Sequence, residues 1–97
     1  MDNNAPSAIV FQDDDAAYLH WRGAHLRGFV LNCARRPTPD YLVLHKASCG
    51  SFASAVGDGR SWTVAYMKVC SDAASTIESW CRRQVGAEPQ RCGVCHP

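Results

Sequence analysis

Apolar positions recur along this chain in two rhythms, and each change of rhythm marks an element. Ala17, Tyr18 and Trp21 follow helical spacing directly behind QDDD, where Asp13 or Asp14 can serve as N-cap and further acids suit the positive end of a helix. With Gly23 or Gly28 to stop it, this pattern predicts a helix of about ten residues. Ahead of it, AIVF predicts a short edge strand, and residues 1–7, polar and proline-containing, a flexible tail.

The rhythm then shortens to two. GFVLNCAR alternates Phe29, Leu31 and Cys33 with Val30, Asn32 and Ala34, and YLVLHKASC alternates Tyr41, Val43, His45, Ala47 and Cys49 with Leu42, Leu44, Lys46 and Ser48. RRPTPD between them has the turn chemistry to close a hairpin. GSFASAVGDGR reads as a mobile loop, and SWTVAYMKVC, β-branched and aromatic, as a third strand.

Helical spacing returns in ASTIESWCRRQVG, with Ala74, Ile77, Trp80, Cys81 and Gln84 or Val85 on one stripe, Ser71 and Asp72 as capping candidates and Gly86 as the stop. The remaining AEPQRCGVCHP is too short and polar to predict another core element. The expected fold is therefore α+β: helix, three-stranded antiparallel sheet, helix, both helices on one face, and a cysteine-bearing C-terminal tail. Residues 8–97 form the single domain.

Composition narrows the class. With 97 residues, 46% hydrophobic and 20% charged, the chain is expected to be a soluble globular domain with a modest core that gains from a staple. No apolar run approaches the ~18 residues of a membrane helix, so no membrane partner is expected. The start, MDNNAPSAIVF, has neither the basic nor the apolar region of a secretory signal, which points to the cytoplasm. In a reducing compartment, six cysteines read as metal-binding before they read as a disulfide framework, the secreted alternative.

The segment CGVCH admits three chemistries. It spells the haem-attachment pattern, yet no pocket-forming chain follows it. CGVC also spells a redox pair, but such a pair opens a helix that lowers the first thiol's pKa, and none can follow here. As half of a metal clamp it needs two more ligands, because structural zinc is held by four Cys or His side chains. If residues 41–49 and 61–70 form a hairpin, Cys49 and Cys70 lie at opposite ends, on the order of 25–30 Å apart. The last helix, about 15–20 Å long, then delivers the tail to the Cys49 end. His45 shares the strand parity of Cys49, and a bend after Ala47, aided by Gly50, brings the two together. The expected structural zinc site is Cys49, Cys92, Cys95 and His45, with His96 as rival fourth ligand. Cys33 and Cys81, on apolar stripes, are expected in the core.

Nothing in the chain spells a phosphate loop, a nucleophile elbow or a zinc-protease helix. Asp40, Asp58 and Glu78 have no evident partners, and His20 and His25 fall off the spacing that would align them on one helical face. Charge leaves a binding role open. Residues 1–17 carry a net −4 and residues 18–97 a net +5. Arg35, Arg36, Lys46, Arg60, Lys68, Arg82 and Arg83, interleaved with Trp62 and Tyr66, are the candidates for holding phosphates and stacking bases. The expected function is a non-catalytic binding module with nucleic acid ahead of protein as ligand. A small enzyme or nuclease accessory domain, and a protein-interaction module, are the alternatives.

The set YLHW, FVLN, LHKASC, YMKVC and CGVC, spanning Phe11 to Cys95, resembles a small bacterial domain with no assigned activity. The resemblance implies a shared fold and draws attention to His45, Cys49, Cys70 and Cys95. It implies no mechanism. The order helix, three strands, helix is also that of double-stranded RNA-binding domains, but the second helix here opens Asp72, Ala73, Ala74, without the lysines those domains carry.

Overall fold

The structure, a computed structural model, describes residues 7–49 and 62–97. Its elements run β1 (Ile9–Phe11), α1 (Asp15–Ala24), β2 (Phe29–Ala34), β3 (Leu42–Lys46), β4 (Tyr66–Ser71), α2 (Ala74–Gln84) and β5 (Gln90–Arg91). The expected α+β class holds, but the three-stranded antiparallel sheet does not. All five strands join one mixed sheet in the order β1-β4-β2-β3-β5, with β5 parallel to β3 and the other pairs antiparallel.

Two readings of the chain account for the difference. The edge strand AIVF pairs with β4, and two residues of the tail expected to add no core element pair with β3. The hairpin expected between β3 and β4 is also absent, because β2 lies between them. Residues 47–65 connect these two strands, far more chain than the 2–5 residues of a hairpin loop and in the range that a crossover needs. The loop GSFASAVGDGR lies outside the described residues.

The helices pack on opposite faces of the sheet rather than on one. Tyr18 and Trp21 of α1 cluster with Val30, Cys70, Ala47, Cys49 and Cys92. Ile77 and Cys81 of α2 cluster with Leu31, Cys33, Leu42, Leu44, Met67 and Val69. Adjacent residues Val30 and Leu31 thus enter different cores, and Met67 through Ser71 are all buried. Strands covered on both faces read as continuous apolar runs, the property that YMKVC displays.

The caps follow local chemistry. Asp14 Oδ1 accepts the Ala17 N–H at 3.1 Å and caps α1. Its neighbours serve elsewhere: Asp15 accepts from the Thr63 backbone and hydroxyl, and Asp13, at φ 56°, forms a two-pronged pair with Arg35 at 2.6 and 2.7 Å. The α2 N-cap is Ala73 rather than Ser71 or Asp72, and Ser71 Oγ instead accepts the Ala73 N–H at 3.2 Å. Gly86, at φ 78°, donates to the carbonyls of Cys81 and Arg82 and ends α2, with Arg82 and Arg83 in its last turn.

Lys68 is the one buried cation among the described residues, 5% exposed, with Nζ donating to Asn32 Oδ1 at 2.7 Å and to the Trp62 carbonyl at 2.6 Å. Burial outweighs the nearby Cys33, Cys70 and Asp15 and brings its pKa down to about 8. Because the folded value lies below the unfolded one, the unfolded chain binds the extra proton and the cost of burying the charge fades as pH rises through that interval. The wild type should therefore gain on the order of 2 kcal/mol relative to Lys68→Met between pH 8 and 10. Urea unfolding of both proteins across that range measures the difference, and a constant gap would contradict the assignment.

Candidate metal centre

The four residues expected as ligands come together from three segments. His45 ends β3, Cys49 follows it on a tight turn, and Cys92 and Cys95 follow β5. Their ligating atoms all lie within 4.8 Å of one another. Cys49 Sγ and Cys92 Sγ are 3.9 Å apart, close to the ~3.8 Å edge of a tetrahedron built on 2.3 Å metal–sulfur bonds.

The turn supplies the bend that strand parity alone lacks. Cys49 N–H donates to the Lys46 carbonyl at 2.9 Å, folding Cys49 back beside His45. Arg22 of α1 holds this turn, its Nε donating to the Ala47 carbonyl at 2.7 Å and a terminal nitrogen to the Cys49 carbonyl at 3.4 Å. The Ala47 N–H also donates to the Gly28 carbonyl. An added Cβ at Gly28 would lie 3.0 Å from both the Ser71 carbonyl and the Trp21 ring, so the chain needs glycine there.

The other half of the centre arrives on a crossover. Helix α2, about 16 Å long, returns the chain to the start of β3, and β5 then runs alongside it, Gln90 beside Val43 and Arg91 beside Leu44. The Cys92 N–H extends this ladder by donating to the Leu44 carbonyl at 2.9 Å. A turn closed by His96 N–H to the Cys92 carbonyl presents Cys95. His96, at φ 51°, is exposed and outside the cluster, so His45 is the histidine of the set.

Electrostatics suit a cation. Backbone N–H groups point at two sulfurs, Lys46 at Cys95 Sγ (3.2 Å) and Val94 at Cys92 Sγ (3.3 Å). Burial pushes the Cys92 thiol up, but hydrogen bonds from Cys95, Val94 and Cys49 outweigh it and bring it down to about 7. Burial and the neighbouring thiols push Cys95 up to about 11 against the Lys46 N–H. Burial, then the charge of Lys68, brings His45 down to about 4, leaving the imidazole neutral at pH 7, the form that can bind a metal. Cys33 and Cys70 are pushed up to about 12 and Cys81 to about 11, each mainly by burial, and all three remain core thiols. All six cysteines are free.

Cys70 stays outside the donor cluster, but not because it lies at the far end of a hairpin from Cys49, since both belong to the core under α1. Cys70 and His45 both face Val30 in the register, so two strand spacings, roughly 10 Å, separate them rather than the length of a hairpin.

The basic and aromatic candidates are dispersed. Lys68 is interior, Trp62 packs against the core under α1, and Arg35 is engaged by Asp13 and the Val64 carbonyl. Arg82 pairs with Glu88, and with Arg83 it belongs to α2 on the opposite side of the sheet. Arg36 and Lys46 are exposed at opposite ends of the sheet, and Arg60 lies outside the described residues. Tyr66 is 46% exposed and its ring lies 5.5 Å from that of Tyr41, whose hydroxyl accepts from Asn32. Residue spacing reveals neither this pair nor the Arg22 brace, since each depends on long-range register.

Comparison with family models, curated proteins and solved structures finds no match for this chain. Among the described residues, no helix is long and apolar enough to cross a membrane.

Cobalt titration, followed by thiolate charge-transfer absorbance, should separate ligands from neighbours. His96→Ala should bind as the wild type does, His45→Ala should lose affinity by 100-fold or more on the order expected for a ligand, and Arg22→Ala by about 10-fold as an outer brace. Equal losses for both histidine variants would contradict the assignment.

Proposed function

We propose that the chain is a non-catalytic binding module stapled by a structural zinc ion on Cys49, Cys92, Cys95 and His45. The observation that carries this reading is the convergence of three thiols and an imidazole, from β3, the turn after it and the segment after β5, at one end of the sheet edge. Three thiolates and an imidazole suit zinc better than magnesium or calcium, which take oxygen ligands. Four protein ligands leave no open position, the mark of a structural rather than a catalytic site. A reducing cytoplasm suits six free thiols.

Single-stranded nucleic acid is the ligand favoured over protein. Support comes from Tyr41 and Tyr66, a half-exposed aromatic pair, and from Arg36, two residues beyond Ala34, the β2 partner of Tyr66. Aromatic faces stack bases without sequence preference, and a neighbouring guanidinium meets the phosphates.

Native mass spectrometry of protein purified under reducing conditions should show one zinc per chain. Fluorescence anisotropy with a labelled mixed-sequence oligonucleotide should show affinity falling linearly with salt on logarithmic axes. Tyr66→Ala should cost about 1–3 kcal/mol of binding, and Arg36→Ala should flatten the salt slope. Absent or salt-insensitive binding would move the assignment to a protein partner, and a metal-free chain would remove the zinc staple.

A further inference from the structure

We propose that the clamp is redox-exchangeable: oxidation replaces the zinc between Cys49 and Cys92 with a disulfide, and the C-terminal tail stays docked in both states. This rests on the zinc reading of the cluster and adds regulation to it.

Geometry selects the pair. The two sulfurs are 3.9 Å apart, and a disulfide brings them to about 2.05 Å, so the bond needs an approach of under about 2 Å. Both carriers are fixed by their own backbones. Cys49 closes the turn braced by Arg22, and Cys92 is bonded to the Leu44 carbonyl at 2.9 Å. Cys95 also lies within hydrogen-bond reach of the Cys49 and Cys92 sulfurs, but it is more exposed, and its own sulfur is engaged by the Lys46 N–H. A Cys49–Cys92 bond links the same two segments that the metal links, because it joins the β3 turn to the residue directly after β5. A Cys92–Cys95 bond would join the tail only to itself.

The chemistry balances with a peroxide as oxidant. One thiolate of the pair attacks the peroxide oxygen, giving a sulfenic acid and hydroxide. The second thiolate attacks that sulfur, forming the S–S bond and releasing a second hydroxide. The two hydroxides take two protons from solvent, so hydrogen peroxide leaves as two waters. Zinc, left with two of its four ligands, dissociates, and Cys95 takes up a proton.

The test treats the zinc-loaded full chain with hydrogen peroxide. Zinc release is followed with a chromogenic chelator, disulfides by peptide mapping after alkylation, and the fold by circular dichroism. The expected result is one zinc released per Cys49–Cys92 disulfide, an unchanged spectrum, and full reversal by a thiol reductant with added zinc. Cys95→Ser should still form the bond and keep the Cys92 N–H, which donates to the Leu44 carbonyl, protected from exchange, whereas Cys49→Ser should release zinc on oxidation and leave that N–H exchanging fast. A Cys49–Cys95 or Cys92–Cys95 disulfide, sulfinic acids, or loss of Cys92 N–H protection in step with zinc release would overturn the exchange while leaving the zinc site standing. If the starting protein holds no zinc, the metal reading fails first, and the two failures are distinguished before peroxide is added.

Discussion

Everything at the C-terminal end depends on how a two-residue strand stays on a sheet edge. Gln90 and Arg91 are exposed, and their pairing with Val43 and Leu44 buries little apolar surface. So few backbone hydrogen bonds, at a net of about 1 kcal/mol each, do not offset the ordering of the thirteen residues beyond α2. In the proposed zinc-bound state, the sulfur and imidazole donors around β5 supply what the strand lacks. They join the tail to β3 and, through the Arg22 brace, to the turn beneath α1. One cluster thus ties together the sheet edge, the tail and the first helix.

The same interior shows how environment divides six chemically identical side chains. Cys33 and Cys81 fill the core under α2, and Cys70 fills the core under α1, each as a protonated thiol. Cys92 and Cys95 differ because backbone N–H groups turn toward their sulfurs, Val94 from the tail's own turn and Lys46 from the end of β3. The middle of a strand commits its N–H groups to the ladder, whereas a turn or the end of a strand leaves some to offset developing negative charge. Lys68 shows the complementary case, a cation held inside by two neutral oxygens and lowered toward neutrality by burial.

The elements and the donor set were legible in the residues, while the pairing was not. Helical spacing and an aspartate cap marked α1, a stripe with Gly86 marked α2, and alternation marked the central strands, because these signals are local. Strand order depends on contacts between distant segments, and there the expected hairpin failed. The length of residues 47–65 and the apolar continuity of YMKVC already argued for a central β4 covered on both faces. His45, Cys49, Cys92 and Cys95 emerged because parity and a required bend constrain few residues. The route was only partly right, since α2 carries the chain away from the site and β5 brings it back. The Tyr41–Tyr66 pair and the Arg22 brace had no local signal.

Amide hydrogen exchange at Cys92 and Lys46 reports most directly on the clamp, since these N–H groups bond to the Leu44 carbonyl and the Cys95 sulfur respectively. With zinc bound, both should exchange as slowly as the core of β2. After zinc is removed by a chelator under reducing conditions, both should become fast while β2 stays protected. Protection that is unchanged by metal removal would contradict the claim that the cluster holds the tail on the sheet.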